Sequence, residues 1–191
     1  MISKNSIEFL DKKIVFMIPE IEIGGVEINT LNFCNNLIDK LANITIIYER
    51  SSNQNLKKKF DKRIHFLDMG YSKTRYLFWR YKHVFKKENP DFVITSSFTI
   101  LFNLVLTKIL SAQSFKIIFK IETNFKEYLF NKSLMLDYLL YKFFSNIVFK
   151  KINLIVCSSQ LLASSVKREF DNQLNKKIIC IYNPVITNED R

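Results

Sequence analysis

Gly24 and Gly25 stand side by side just after the first apolar run of the chain, and they are two of only three glycines in 191 residues. The run, Lys13-Ile14-Val15-Phe16-Met17-Ile18-Pro19, holds five apolar residues between a lysine and a proline. Such a run marks a strand buried on both faces. Behind the glycines, Leu31, Cys34, Ile38 and Leu41 recur at spacings of three and four, which predicts an amphipathic helix. Strand, Gly-Gly loop and helix together bring bare backbone amides to a helix N-terminus at the carboxyl edge of a parallel sheet. Anions, phosphate above all, are held at such places. A tight turn that needs the positive φ glycine adopts without steric cost is the other reading of the same pair.

The remaining polar side chains offer less. His65 falls in a strand-like run and His83 in a basic helix, with no Cys or Asp at ligand spacing, so no metal site is expected. No nucleophile–base arrangement for hydrolysis is visible, and no catalytic residue can be named from the residues themselves. The Gly-Gly loop lacks the third glycine and the downstream acidic residue that a nicotinamide dinucleotide would require, so no cofactor of that kind is expected. Ser96-Ser97 and Ser158-Ser159 each close an apolar run. Their hydroxyls either line a cleft or cap the helix that follows.

The elements that must position these residues alternate along the chain. After the first strand come Ile44-Thr45-Ile46-Ile47-Tyr48 and a weaker Ile64-His65-Phe66-Leu67. Then follow Phe92-Val93-Ile94-Thr95, Lys116-Ile117-Ile118-Phe119, Leu154-Ile155-Val156-Cys157 and Ile178-Ile179-Cys180-Ile181. Segments long enough for crossover helices separate most of them, which predicts an α/β fold with a doubly wound, mostly parallel sheet of about seven strands. The polar stretch Ser51-Ser52-Asn53-Gln54-Asn55 makes the second connection an irregular loop. Leu134 to Phe149 is apolar on most sides and is expected in the core or against a neighbouring domain. No composition break divides residues 1–191, so one domain is expected, a size that buries roughly 70 % of its unfolded surface.

Composition narrows the partners. The net charge is +11 and the apolar fraction 48 %, with 18 Phe and 8 Tyr, which excludes a disordered chain. Such an imbalance attracts anions at long range: nucleic acid, an anionic membrane surface or a phosphorylated substrate. No zinc-ligand spacing, Arg-rich tail or RNA-binding sheet signature occurs, so nucleic acid is set aside. Tyr71 to Glu88 mixes Arg75, Lys82 and Lys86 with Phe78, Trp79 and Tyr81, a basic amphipathic helix that suits anionic lipid headgroups. An ordinary packed helix with a solvated basic face explains the same pattern. Cys34, Cys157 and Cys180 are odd in number and lie inside apolar segments, so buried, reduced thiols in a cytoplasmic protein are expected. Met1 to Lys12 shows no apolar segment of a secretory signal, and no stretch is apolar enough to span a membrane.

Three patterns together resemble the amino-terminal domain of family 4 glycosyltransferases, which have the two-domain GT-B architecture. They are the opening from Lys13 through Gly24-Gly25-Val26-Glu27, the run Ile152-Asn153-Leu154-Ile155-Val156-Cys157-Ser158-Ser159, and the ending Lys177-Ile178-Ile179-Cys180-Ile181-Tyr182-Asn183-Pro184-Val185. Their order and spacing carry the resemblance over nearly the whole chain. It implies a Rossmann-like half of a GT-B enzyme, the acceptor-side half. The carboxyl-terminal donor-binding domain, with its nucleotide-binding carboxylates, would then be absent from residues 1–191, so that this half is inactive alone. The reaction implied moves a sugar from a nucleotide-sugar, a substrate rather than a cofactor, to a glycan or lipid-linked glycan. Bacterial surface polysaccharide assembly at the inner face of the cell membrane is the implied setting.

By the same resemblance, Gly24 and Gly25 let the first loop approach the donor diphosphate, and their amides stabilise its charge. Glu27 takes the family's acidic position after the glycines, where interaction with the helix dipole is an equal explanation. Glu122-Thr123-Asn124 matches a position where family members carry histidine facing the reacting sugar. Here Glu122 or Asn124 is left to bind an acceptor hydroxyl, and imidazole chemistry is excluded. Ser97 is a candidate for the wall of the acceptor cleft. A donor-domain partner chain is a further implied partner. A non-catalytic membrane-docking subunit of a split transferase is the alternative to the half-enzyme.

Overall fold

The computed structural model describes residues 12–21, 24–39, 43–51, 54–70, 77–123, 147–169 and 177–183. Seven strands form one sheet: β1 (Lys13–Ile21), β2 (Asn43–Ser51), β3 (His65–Asp68), β4 (Phe92–Thr95), β5 (Lys116–Ile121), β6 (Leu154–Cys157) and β7 (Ile178–Cys180). Their order is β3-β2-β1-β4-β5-β6-β7, and every pairing is parallel. The helices are α1 (Gly25–Ile38), α2 (Gln54–Lys57), α3 (Leu77–Glu88), α4 (Phe98–Ser111), a turn at 147–151 (α5) and α6 (Gln160–Glu169).

Strand period and crossover hand fix which helix covers which face. Right-handed connections that step from β1 towards β3 put α1 and α2 on one face; those that step from β3 through β4 towards β7 put the others on the opposite face. The core divides accordingly. Ile14, Phe16 and Ile18 of β1 pack with Ile44, Ile46 and Tyr48 of β2 against Leu31, Cys34 and Ile38 of α1 and Leu56 of α2. The intervening Val15 and Met17 join Val93, Ile117, Phe119 and Ile155 against Tyr81 and Phe85, Leu101 and Leu104, Phe149, and Val166. Burial on both sides is why β1 reads as an unbroken apolar run.

Several expectations change in detail. β1 continues past Pro19 to Ile21, because Pro19 interrupts only one ladder position. The second connection, expected to be irregular, contains the short helix α2, whose Leu56 is buried. The basic helix is seen from Leu77 to Glu88; Arg75 and the rest of its expected first turn lie outside the described residues, as does Leu134 to residue 146 of the apolar segment. In the end of that segment Val148 and Phe149 are buried. Cys34 and Cys157 are buried and Cys180 is half-buried, all three as free thiols.

The connections reverse direction between β1 and β4, whose Met17 and Thr95 are register partners. In a doubly wound sheet the crevice outside the strands' carboxyl ends at this switch point is the preferred ligand site. Ser96 and Ser97 follow β4 directly, and Gly24 stands three residues after the end of β1.

Candidate functional site

Gly24 is the N-cap of α1, with φ −144° and ψ 167°, and Gly25 is the first helical residue. The turn reading of the pair fails: neither glycine has positive φ, and among the described glycines only Gly70 does, at φ 64°. A Cβ on Gly24 would run into the carboxylate of Glu27, while a Cβ on Gly25 would meet nothing within 4 Å. Gly25 therefore leaves room for an approach from outside. Glu27 lies in the first turn and folds back over the N-cap, where its charge complements the helix dipole. Any external anion at this helix start must displace that carboxylate or share the site with it.

One turn further along α1, Asn29 donates through Nδ2 to Oε2 of Glu122 at 3.3 Å. Glu122 sits immediately after β5, with its side chain 8 % exposed. Its Oε1 lies 2.5 Å from Nζ of Lys120, one strand period earlier on the same face. An ammonium at that distance occupies Oε1, so Glu122 enters the site as one half of a largely buried ion pair. The Glu122 carbonyl accepts from Oγ of Ser158 at 3.4 Å, which ties the end of β5 to the end of β6.

Glu122 and Lys120 form the polar end of a cavity of about 160 Å³. Its floor is the half-face of the sheet that α1 and α2 do not cover, with Ile94, Ile118, Leu154 and Val156, and Phe33 of α1 closes one side. Ser96, Thr30 and Asn183 add polar atoms to the wall. Asn183 Oδ1 is buried and has no hydrogen-bond partner among the described residues. A buried acceptor without a donor, next to a carboxylate, suits a ligand that carries hydroxyl groups, because an unpaired buried acceptor costs about 1–3 kcal/mol.

The sequence candidates thus divide. Glu122 lines the cavity, whereas neither Gly24 nor Gly25 does; α1 reaches Glu122 through Asn29. Ser97 is not: it occupies the N-cap position of α4, is buried, makes no side-chain capping bond and is not in the cavity wall, where its neighbour Ser96 stands. Asn124 lies outside the described residues. Of the second serine pair, Ser159 caps α6 by accepting from the Leu162 amide at 3.2 Å, and Ser158 braces Glu122. His65 and His83 are exposed, and no group of three metal-ligating side chains exists among the described residues. Lys120 and Asn29 were not singled out from sequence. Lys120 was legible as a lone charge interrupting a buried strand's apolar alternation, whereas Asn29 has no local signature.

The fold recurs in solved glycosyltransferase structures. The lipopolysaccharide outer core galactosyltransferase WaaB, in its apo form, is 16% identical with a TM-score of 0.60; the match covers 91% of this chain and 46% of that one. Anabaena Alr3699/HepE, solved in complex with UDP and glucose, is 12% identical with a TM-score of 0.67, covering 91% and 45%. A glycosyltransferase from Rickettsia africae ESF-5 is 19% identical with a TM-score of 0.62, covering 91% and 43%. This chain thus spans less than half the length of each. Among curated proteins no match is found. The sequence model of Glycosyltransferase Family 4 matches residues 23–189, from the loop that enters α1 to beyond β7, and the chain belongs to that family.

Proposed function

We propose that this domain binds the acceptor in a two-domain glycosyltransferase whose nucleotide-sugar donor is held by a second domain. The observation that carries the reading is the Asn29–Glu122 hydrogen bond, which joins the glycine-led helix α1 to the polar end of the cavity. The acceptor hydroxyl binds at the Glu122 carboxylate and Asn183 Oδ1. The backbone amides beside Gly25 face the diphosphate leaving group, where fixed donors stabilise charge as it develops. The first amides of any helix have no intrahelical acceptor, and the diphosphate takes over or shares the place at this helix start that the Glu27 carboxylate holds. Glycan or lipid-linked glycan acceptors both present the required hydroxyl. Assembly of bacterial surface polysaccharide is the setting we favour, and the family match favours it over a docking subunit without activity.

A second feature supports work at the inner face of the cell membrane. Trp79 is 66% exposed on α3, on the side of that helix away from buried Tyr81 and Phe85. Lys82 Nζ lies 5.4 Å above its ring, and Lys86 and Lys87 follow in the last turn. Such a surface suits anionic headgroups, at about 1 kcal/mol per Lys or Arg near the bilayer. No helix among the described residues is long and apolar enough to cross a membrane.

The test is Glu122→Gln in the enzyme that includes the donor domain. Loss of one charged hydrogen bond to the acceptor predicts a fall in kcat/KM of roughly 10- to 100-fold. Thermal unfolding reports whether the domain itself is intact. Unchanged transfer by the folded variant would remove Glu122 from the acceptor site.

A further inference from the structure

β6 and β7 each end on a cysteine, and the two are partners in register, Cys157 opposite Cys180. The ladder holds that register on the far side too, since the Ile181 amide donates to the Cys157 carbonyl at 3.0 Å. Register partners on parallel strands point to the same face, and both thiols belong to the core that packs under α6. Adjacent strands lie about 4.7–4.9 Å apart. That separation is inside the 4.4–6.8 Å range of Cα distances that a disulfide spans.

We infer that Cys157 and Cys180 are a redox-modifiable pair, closed to an intramolecular disulfide by a peroxide. The two thiols differ in access, which sets the order of events. Cys180 is half-buried at the margin of the core and meets the oxidant first; Cys157 is fully buried. Burial pushes the Cys157 thiol up to about 11, with the neighbouring Cys180 adding to the rise and Lys167 opposing it. Cys157 is accordingly the resolving partner. The Cys180 thiolate attacks one peroxide oxygen, the O–O bond breaks, and sulfenic acid and water form. The Cys157 sulfur then attacks the Cys180 sulfur, gives up its proton, and displaces the hydroxyl, which leaves as water. Two thiols and one hydrogen peroxide thus give one disulfide and two waters.

Cys34 provides the internal control. It is buried in the core on the opposite face of the sheet and cannot reach either partner. The disulfide would fasten β7 to β6 immediately before Ile181, Tyr182 and Asn183, which form one wall of the cavity. Oxidation would therefore fix that wall to the sheet.

The experiment exposes the purified chain to hydrogen peroxide, denatures it, alkylates the remaining thiols and maps the peptides by mass spectrometry. Free thiols should fall from three to one, with the Cys157 and Cys180 peptides joined, Cys34 alkylated, and dithiothreitol restoring all of them. In Cys157→Ala, Cys180 should stop at sulfenic acid and be captured by dimedone. Cys180 oxidised in the wild-type chain without a joined peptide, a link found only between chains, or three thiols surviving a dose that fully oxidises free cysteine would each overturn the proposal. The wild-type map decides the matter even if a variant does not fold.

Discussion

Gly25 begins α1 with ordinary helical geometry and open space where a side chain would go. Its backbone gives no reason for glycine, and under the proposed function the open space admits the diphosphate. Gly25→Ala should therefore leave the domain as stable as before or raise its stability by up to ~1 kcal/mol, since alanine favours a helix more than glycine does. The same change should lower sugar transfer by the two-domain enzyme. Calorimetric unfolding beside steady-state kinetics would show the two effects parting, and equal activity would return Gly25 to a structural role. A different residue pair carries the pH dependence. Burial raises the Glu49 carboxyl above its ordinary range, opposed by the hydrogen bond from Tyr81 and by Arg50. The Tyr81 hydroxyl donates to it at 2.7 Å. A raised folded pKa means the folded state binds more protons than the unfolded one, so stability falls as pH rises through the interval between the two values. Tyr81→Phe removes the opposing donor, and the fall should deepen by about 1–3 kcal/mol at neutral pH while shrinking in acid. Denaturant titrations at several pH values would measure it; a loss independent of pH would indicate packing alone.

The elements show which parts of the structure were legible from sequence. Seven strands were recognisable because each is a short apolar run between polar boundaries, a pattern that burial on two faces imposes. α2 was missed because four residues hold no period: among its described side chains only Leu56 is buried, and its neighbours read as loop. At the site, the glycine loop and the place of Glu122 after β5 were legible. Their junction through Asn29 was not, because a hydrogen bond across 93 residues leaves no trace in local spacing. α3 yielded its division of faces, with Tyr81 and Phe85 inward and Trp79 outward. If the outward stripe meets lipid, phosphatidylglycerol vesicles at low salt should shift the emission of Trp79, the single tryptophan, to the blue. Salt should reverse the shift as it screens the charges. Lys82→Gln with Lys86→Gln should remove most of the binding without altering the fold. Emission that stays unchanged would leave the stripe as a solvated face.

At the scale of the whole molecule, the net charge of +11 and the cavity at the switch point agree with the proposed meeting of anions and hydroxyls. Under the proposed division of labour, the donor nucleotide gains most of its contacts from the other domain. Isothermal calorimetry of this domain alone with UDP-, GDP- and dTDP-sugars should then detect no binding tighter than millimolar. Micromolar binding to any of them would put a donor site on this half and overturn that division.

The strand order also dictates a timetable. β1 lies inside the sheet between β2 and β4, yet its partner on one side, beginning where Ile14 meets Phe92, is made long after it. During synthesis β1, β2 and β3 can assemble early, but one edge of β1 must wait unpaired until β4 leaves the ribosome. An unpaired apolar edge is a template for wrong partners, and closing so long a loop slows the correct one. The same interior position that forms the crevice at the switch point therefore makes the nascent chain most exposed to aggregation before β4 emerges, and chaperone demand should peak there.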